Sequence, residues 1–416
     1  MTRIALIAGT YQPKSCGVAH YTAHLREELA KREIASVVLT THAAAQIADA
    51  PDVLGVIPYW HLKNLIPLLQ AIHATKADIL HIQHAAGTYG FDRSIFLLPL
   101  LLRLTGWRAP VVTTIHEYGW WEWQPRWFPQ NWMERVKVWG QQRGWWDRED
   151  GFLLTQSDAI ITTNQEAQRI LFSRLPQFNH RVDQIPIGAN IEVTPIDRKT
   201  IQQQVRQDCG WSQDTQIVAF FGFLHPVKGV EMLLPAFKQV LAVQPQTRLL
   251  LIGGVESLAL PADQATRYWN KLQGMISDLH LNHSVHMTGY LEADAASCYL
   301  SAANVGVLPF NHGVTLKSGS LLAMMAHGLP TIATRSTPPD PELATELVKQ
   351  IVPRDVDQLT TELIRLLNDV TLQQQLGARG QTFSRKFAWS SIADAHQAIY
   401  GALLEQNLVT ASRTMA

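Results

Sequence analysis

The chain has 416 residues, and its 35 Lys and Arg balance 35 Asp and Glu, so it lacks the basic field that nucleic acid attracts over a distance. At roughly 150 residues per domain, the length predicts two domains, three at most, each able to bury its own core. Apolar residues make up 46% and charged residues 17%, which excludes disorder as the main state and leaves a surface rich in uncharged polar side chains.

In chain order, Arg3–Ala8 reads as a first strand, too short for the apolar core of a signal peptide and followed by no small-residue cleavage site. Further strands are expected at Ala35–Thr41, Val53–Ile57, Ala77–Gln83, Pro110–Ile115 and Asp158–Thr163. Amphipathic helices lie between them, as at His20–Lys31, where Tyr21, Leu25 and Leu29 share a face. The apolar stretch Ile95–Leu104 carries Pro99 and Arg103 and falls short of the ~20 residues a membrane span needs. A second series places strands at Gln216–Phe221, Arg248–Ile252, Ser284–Thr288, Asn304–Leu308, Pro330–Thr334 and Lys349–Val352, and helices at Gly229–Val243, Leu321–His327 and Val356–Leu367. Between the series, Ile185–Pro195 interrupts both periods with Pro and Gly and suits a linker. The alternation predicts an α/β protein with two Rossmann-like, doubly wound domains, residues 1–190 and 200–388. Their ligands are expected beyond the carboxyl ends of the strands, in the cleft between domains.

The three cysteines, Cys16, Cys209 and Cys298, are odd in number and far apart. They exclude a disulfide framework and C-x-x-C zinc sites, and they fit a reducing, cytoplasmic setting. No Asp or Glu pairs are spaced for a metal centre, so neither metal nor cofactor is expected.

Four loops at strand ends carry chemistry. Gly9–His20, with Gly17, leads from the first strand into a helix whose free N–H groups suit a phosphate or a sugar hydroxyl, or form an ordinary strand-to-helix turn. The strand ending at Ile115 runs into His116 and Glu117, an imidazole and a carboxylate where acid–base chemistry can be sited, although a single histidine is as readily structural. After Phe221, Gly222 permits close backbone approach to a ligand, and Lys228 stands before a helix N-terminus, where a cation asks for an anion. Finally, Lys317, Ser318, Gly319 and Ser320 open a helix that Gly328 and Pro330 stop, a cationic and hydroxyl-rich start suited to a diphosphate.

The order and spacing of the Gly17 loop, His116, Gly222 with Lys228 and Gly229, and the run Ala326, His327, Gly328, Leu329, Pro330 resemble family 4 glycosyltransferases. Secondary matches are Ser157–Ile161, Ile185–Asn190, Leu251–Gly254 and Gly289–Leu291. The resemblance covers nearly the whole chain and implies a GT-B fold and a retaining, hexosyltransferase-like activity. It implies a nucleotide-diphosphate sugar held mainly by the second domain and a glycan, lipid-linked or small-molecule hydroxyl acceptor held by the first. It further implies that Lys228 holds the diphosphate, that His116 contacts the donor sugar, and that a last helix from about residue 390 to 410 returns to the first domain. The chain departs from the family in lacking its two glutamates spaced by eight positions. Aligned from Gly328 they fall on Thr315 and Ala323, and aligned from Pro309 on Gly313 and Leu321. Phe223 stands where the family carries a phosphate-binding arginine, which makes Lys317 with Ser318, Gly319 and Ser320 the candidate replacement grip.

Eight of the thirteen tryptophans lie between Trp120 and Trp146: Trp120, Trp121, Trp123, Trp127, Trp132, Trp139, Trp145 and Trp146. Following His116, they suit the acceptor side, with Trp120, Trp121 and Trp123 placed to stack on a sugar. Trp132, Val136 and Trp139 share a helical face suited to a lipid headgroup layer, and so to weak peripheral contact at the inner face of a membrane. Packing as a lid or domain core is the alternative. Three functional readings stay open: a sugar transferase, a sugar-nucleotide epimerase on the same fold, and a sugar-nucleotide-binding protein without turnover.

Overall fold

The computed structural model describes residues 2–11, 16–124, 129–189, 191–255 and 261–415. The chain divides into two compact units, Met1–Ile187 with Trp389–Ala416, and Gly188–Ala388.

The first unit is a seven-stranded parallel sheet: β1 (Arg3–Ala8), β2 (Ala35–Thr41), β3 (Val53–Ile57), β4 (Ile79–His84), β5 (Val111–Ile115), β6 (Ala159–Thr162) and β7 (Val182–Gln184), in the order β3-β2-β1-β4-β5-β6-β7. The reversal of direction between β1 and β4 creates a switch point at the carboxyl ends of those strands. Both faces of the sheet are covered, so β1 and β4 read as nearly unbroken buried runs rather than alternating ones. The helix Trp389–Met415 packs on this unit. Its Trp389 ring meets Tyr21 edge-on at 5.2 Å, Arg32 bonds Asp394 at 2.7 Å, and the imidazole of His81, on β4, lies 2.7 Å from the Tyr400 hydroxyl.

The second unit repeats the plan with β8 (Gln216–Phe221), β9 (Thr247–Ile252), β10 (Val285–Gly289), β11 (Val305–Leu308), β12 (Thr331–Thr334) and β13 (Lys349–Ile351), in the order β10-β9-β8-β11-β12-β13. Its switch point lies between β8 and β11. An apolar cluster forms the core of the second unit, with Val218, Phe220, Leu250 and Val307 from the strands against Leu233, Phe237 and Leu363 from the helices. Among the described residues, no helix is long and apolar enough to cross a membrane.

Candidate functional site

In the first unit, the loop after β1 begins at Gly9, whose carbonyl accepts a hydrogen bond from Trp60 Nε1 at 3.0 Å. Residues 12–15 of this loop lie outside the described residues, as does Trp127. Gly17 opens the helix Gly17–Lys31, and among the described residues, its chain neighbours and its own helix backbone aside, no atom lies within 4 Å of where a side chain would stand on it.

His116 follows β5, and its ring meets Tyr21 edge-on at 4.8 Å. Its Nε2 donates to Gln83 Oε1 at 2.9 Å, while the Gln83 amide nitrogen points to His81 Nε2 at 3.2 Å and His81 Nδ1 to the Tyr400 hydroxyl at 2.7 Å. With Nε2 protonated, Nδ1 is left as an acceptor. Burial, with His84 and His396 nearby, pushes the His116 pKa down to about 3. The imidazole is therefore neutral at physiological pH, which suits a hydrogen bond to a hydroxyl rather than a charged acid. Glu117 does not join this network. Its side chain is exposed and makes no hydrogen bond or ion pair to another described residue, because the chain turns outward after His116.

The tryptophan segment is held by a turn that sequence reasoning missed. Glu149 is 3% exposed and accepts the backbone N–H groups of Gly119, Trp120 and Trp121 at 2.8, 3.3 and 3.0 Å, with Arg174 at 2.8 Å. Tyr118 donates to Asp147 Oδ1 at 2.8 Å, and burial together with Asp150 raises the Asp147 pKa to about 6. Arg93 bonds the carbonyl oxygens of Trp121 and Glu122 and lies 3.8 Å above the Trp121 ring. Trp121 is thus taken up by packing, edge-on to Phe91 and Phe96, whereas Trp120 and Trp123 remain exposed. The only sequence cue to this anchor was the acidic turn Asp147–Asp150, about 30 residues from the segment it holds.

In the second unit the loops after β8 and β11 are laced together. Asn311 donates its N–H to Val227 O at 2.9 Å and its amide to Pro226 O at 2.9 Å. Gly222 has φ +133°, and a Cβ there would lie 2.7 Å from Ser320 Oγ, so the end of β8 and the start of the helix Gly319–Ala326 touch where only glycine fits. Ser318 caps that helix by accepting the Leu321 N–H at 3.3 Å. Lys228 is half-buried with its ammonium 3.7 Å from the Phe310 ring centre. No carboxylate among the described residues pairs with it, and burial pushes its pKa down to about 8. The structure therefore brings Gly222, Lys228, Gly319 and Ser320 to one switch point, with Lys317 exposed one residue ahead of the cap.

Of the four positions expected for the missing glutamates, all but Thr315 are closed to acids. Leu321 and Ala323 are fully buried, and a side chain on Gly313 would run into the backbone of Ser336. A carboxylate does reach this loop from after β12, where Asp340 accepts the Leu316 N–H at 2.9 Å. His327 is structural, with Nδ1 donating to Ala323 O at 2.7 Å and Nε2 facing Ser297 Oγ at 2.8 Å. Surface cavities of about 710 Å³, beside Arg108 and Arg181, and about 470 Å³, beside Trp211 and His286, open at the amino ends of the strands, opposite these loops. Among the described residues, no group of three His, Cys, Asp or Glu is placed to hold a metal.

Residues 16–193 match the Glycosyltransferase Family 4 model and residues 215–369 the Glycosyl transferases group 1 model. A GDP-mannose-dependent monoacylated alpha-(1-6)-phosphatidylinositol monomannoside mannosyltransferase of Corynebacterium glutamicum is 26% identical over 250 residues, 58% of this chain and 61% of that protein. The match thus spans about three fifths of that relative's length. Among solved structures, a glycosyltransferase from Rickettsia africae superposes with a TM-score of 0.70 at 12% identity, over 97% of this chain and 98% of that one. Anabaena Alr3699/HepE in complex with UDP superposes at 0.68 and 14% identity, over 97% and 100%. Both carry the two Rossmann-like sheets in one chain, and with the two sequence models covering most of its length, the chain belongs to the family 4, group 1 glycosyltransferases of GT-B fold.

Proposed function

We propose that the protein is a retaining glycosyltransferase that moves a hexose from a nucleotide-diphosphate sugar to a hydroxyl acceptor. The observation that carries this reading is Lys228: a half-buried ammonium without a carboxylate partner among the described residues, beside a glycine-lined switch point. Such a cation needs an anion, and the N–H groups at the start of the helix Gly319–Ala326 favour the same charge.

In the proposed reaction the bond from the anomeric carbon to the diphosphate breaks, the electron pair leaves with the diphosphate, and the acceptor oxygen bonds to that carbon on the face the diphosphate leaves, its proton passing to the departing diphosphate oxygen. Lys228, the N–H groups of Gly319 and Ser320, and the Lys317 ammonium stabilise the departing charge, and no step calls on a metal. His116 accepts a hydrogen bond from a sugar hydroxyl at Nδ1, and the exposed rings of Trp120 and Trp123 offer faces for a glycan acceptor. Supporting the reading, the corynebacterial relative is named for transfer from GDP-mannose, and the Anabaena structure holds UDP.

The test is single-turnover chemistry with radiolabelled UDP-, GDP- and ADP-hexoses on wild type, His116→Ala and Lys228→Ala. The reading predicts release of nucleoside diphosphate with one donor and loss of about 10²-fold or more in each variant. Donor that binds but is neither transferred nor hydrolysed, across a broad acceptor panel, points instead to a binding protein; a sugar altered at another carbon points to an epimerase.

A further inference from the structure

We propose that the hollow at the amino ends of β8, β9 and β10 is a second carbohydrate site, which takes a neutral glycan chain away from the point of transfer. Its volume is about 470 Å³, within the ~300–1,000 Å³ of sites that take small molecules. Three turns of the second unit wall it. The helix Arg198–Asp208 runs out into Gly210, at φ +67°, and the Trp211 N–H turns back to Arg206 O at 2.8 Å, which fixes the indole just past the helix end. Gln246 and Arg248 follow the helix Val230–Val243, and Arg248 Nη1 donates to the carbonyl oxygens of Pro245 and Thr247 at 2.9 and 2.8 Å. Asn282, His283 and His286 follow the helix Ala262–Asp278.

The chemistry of this lining selects the ligand. Among the described residues no carboxylate lines the hollow, and its fixed charge, the Arg248 guanidinium, is engaged with carbonyl oxygens. The three helices end beside it, and the partial negative charge at their carboxyl ends disfavours a phosphate or a carboxylate. The amides of Gln246 and Asn282 and the imidazole of His283 are exposed and bond no other described residue. Burial lowers the His286 pKa, so this ring is neutral at physiological pH, with one donor and one acceptor nitrogen. Half-buried Trp211 meets His286 edge-on at 6.4 Å, and His286 lies parallel to the Tyr299 ring at 6.3 Å, which braces both rings. Uncharged donors and acceptors around an indole match the hydroxyl groups and the apolar face of a sugar ring. The transfer loops lie at the opposite, carboxyl ends of these strands, so a ligand here is not the donor sugar. The inference rests on the transferase reading and deepens it, because a second carbohydrate site on the same chain makes the acceptor a chain of sugars.

The experiment is native electrophoresis of the full chain through gels containing mannan, dextran, glycogen or the anionic dextran sulfate. Wild type is expected to be retarded by at least one of the three neutral polysaccharides. Asn282→Ala/His283→Ala, with unchanged melting temperature, should raise the apparent dissociation constant about tenfold. Trp211→Ala should abolish retardation and Trp211→Phe retain part of it; should Trp211→Ala fail to fold, the exposed double variant decides the case. Wild type that passes all three neutral gels unretarded overturns the proposal, as does retardation unchanged in Asn282→Ala/His283→Ala. Dextran sulfate held more tightly than dextran, and released by the same double variant, overturns the neutral class of ligand. Single turnover of soluble donor by wild type, measured alongside, separates the two readings. Turnover without retardation sinks only the carbohydrate site, and retardation without turnover sinks only the transferase.

Discussion

At the residue scale, Lys228 and His116 are both shaped by burial, and each yields a measurable consequence. With its pKa near 8 in the free protein, Lys228 is mostly protonated at neutral pH and loses its charge as the pH rises through 8. A bound diphosphate favours the charged form, so donor affinity should hold below pH 7 and fall above pH 8. Titration of UDP and GDP by calorimetry between pH 6.5 and 9.5 checks this, and a flat profile removes Lys228 from the binding step. For His116, Gln83 is the positioning residue, since it accepts the Nε2 proton at 2.9 Å and is itself fully buried. Gln83→Leu should release the His116 tautomer, seen in imidazole ¹⁵N correlation spectra, and lower kcat by up to about 10²-fold while KM moves little. A wild-type spectrum with the proton on Nδ1 contradicts the assigned direction of the network.

At the element scale, most of the fold was legible because parallel strands buried on both faces read as short β-branched runs, and β1, β2, β3 and β8 have the bounds expected from sequence. The strand β7 was missed for the converse reason: Val182–Gln184 is three residues long, and two of them are exposed at the sheet edge. Of the candidate loops, Gly222 was legible because its φ of +133° and the close approach of Ser320 require glycine locally. The Gln83 and Glu149 supports were not, because they reach their targets across 33 and about 30 residues of chain, and nothing in local pattern marks a buried Gln or Glu as an anchor. Gly140 offers a direct test of the tryptophan segment's packing. Gly140→Ala forces the Trp146 ring to move and should cost about 1–3 kcal/mol, read as a lower melting temperature, whereas a helix free of that contact would gain stability from alanine.

At the scale of the whole molecule, buried neutral histidines dominate the pH dependence of the first unit. His81 and His396 are fully buried and His116 partly so, and burial lowers all three pKa values, to about 3 for His116 and about 4 for His396. Unfolding returns them to about 6.5, so the unfolded chain binds more protons as pH falls below that value. Their contribution is complete above pH 6.5 and is lost on acidification at up to about 1.4 kcal/mol per pH unit for each group. Asp147 acts the other way, since its raised pKa of about 6 lets the folded chain take up a proton first, but it is one group against three. The melting temperature of the first unit should therefore drop between pH 6.5 and 5 and stay level from 7 to 8. A melting temperature constant across the acidic range would mean that these imidazoles are charged in the native state.

The family, the two sheets and the glycine-lined loops converge on one claim, that the Lys228 switch point holds the diphosphate of a nucleotide sugar. Thermal shift with UDP, GDP, ADP and their hexose conjugates, on wild type and Lys228→Ala, tests it most directly. Ligand at about 100 times its dissociation constant adds ~2.7 kcal/mol to wild-type stability. The account predicts a clear rise in melting temperature for one base, abolished in Lys228→Ala; no rise with any nucleotide, or an equal rise in the variant, would contradict it.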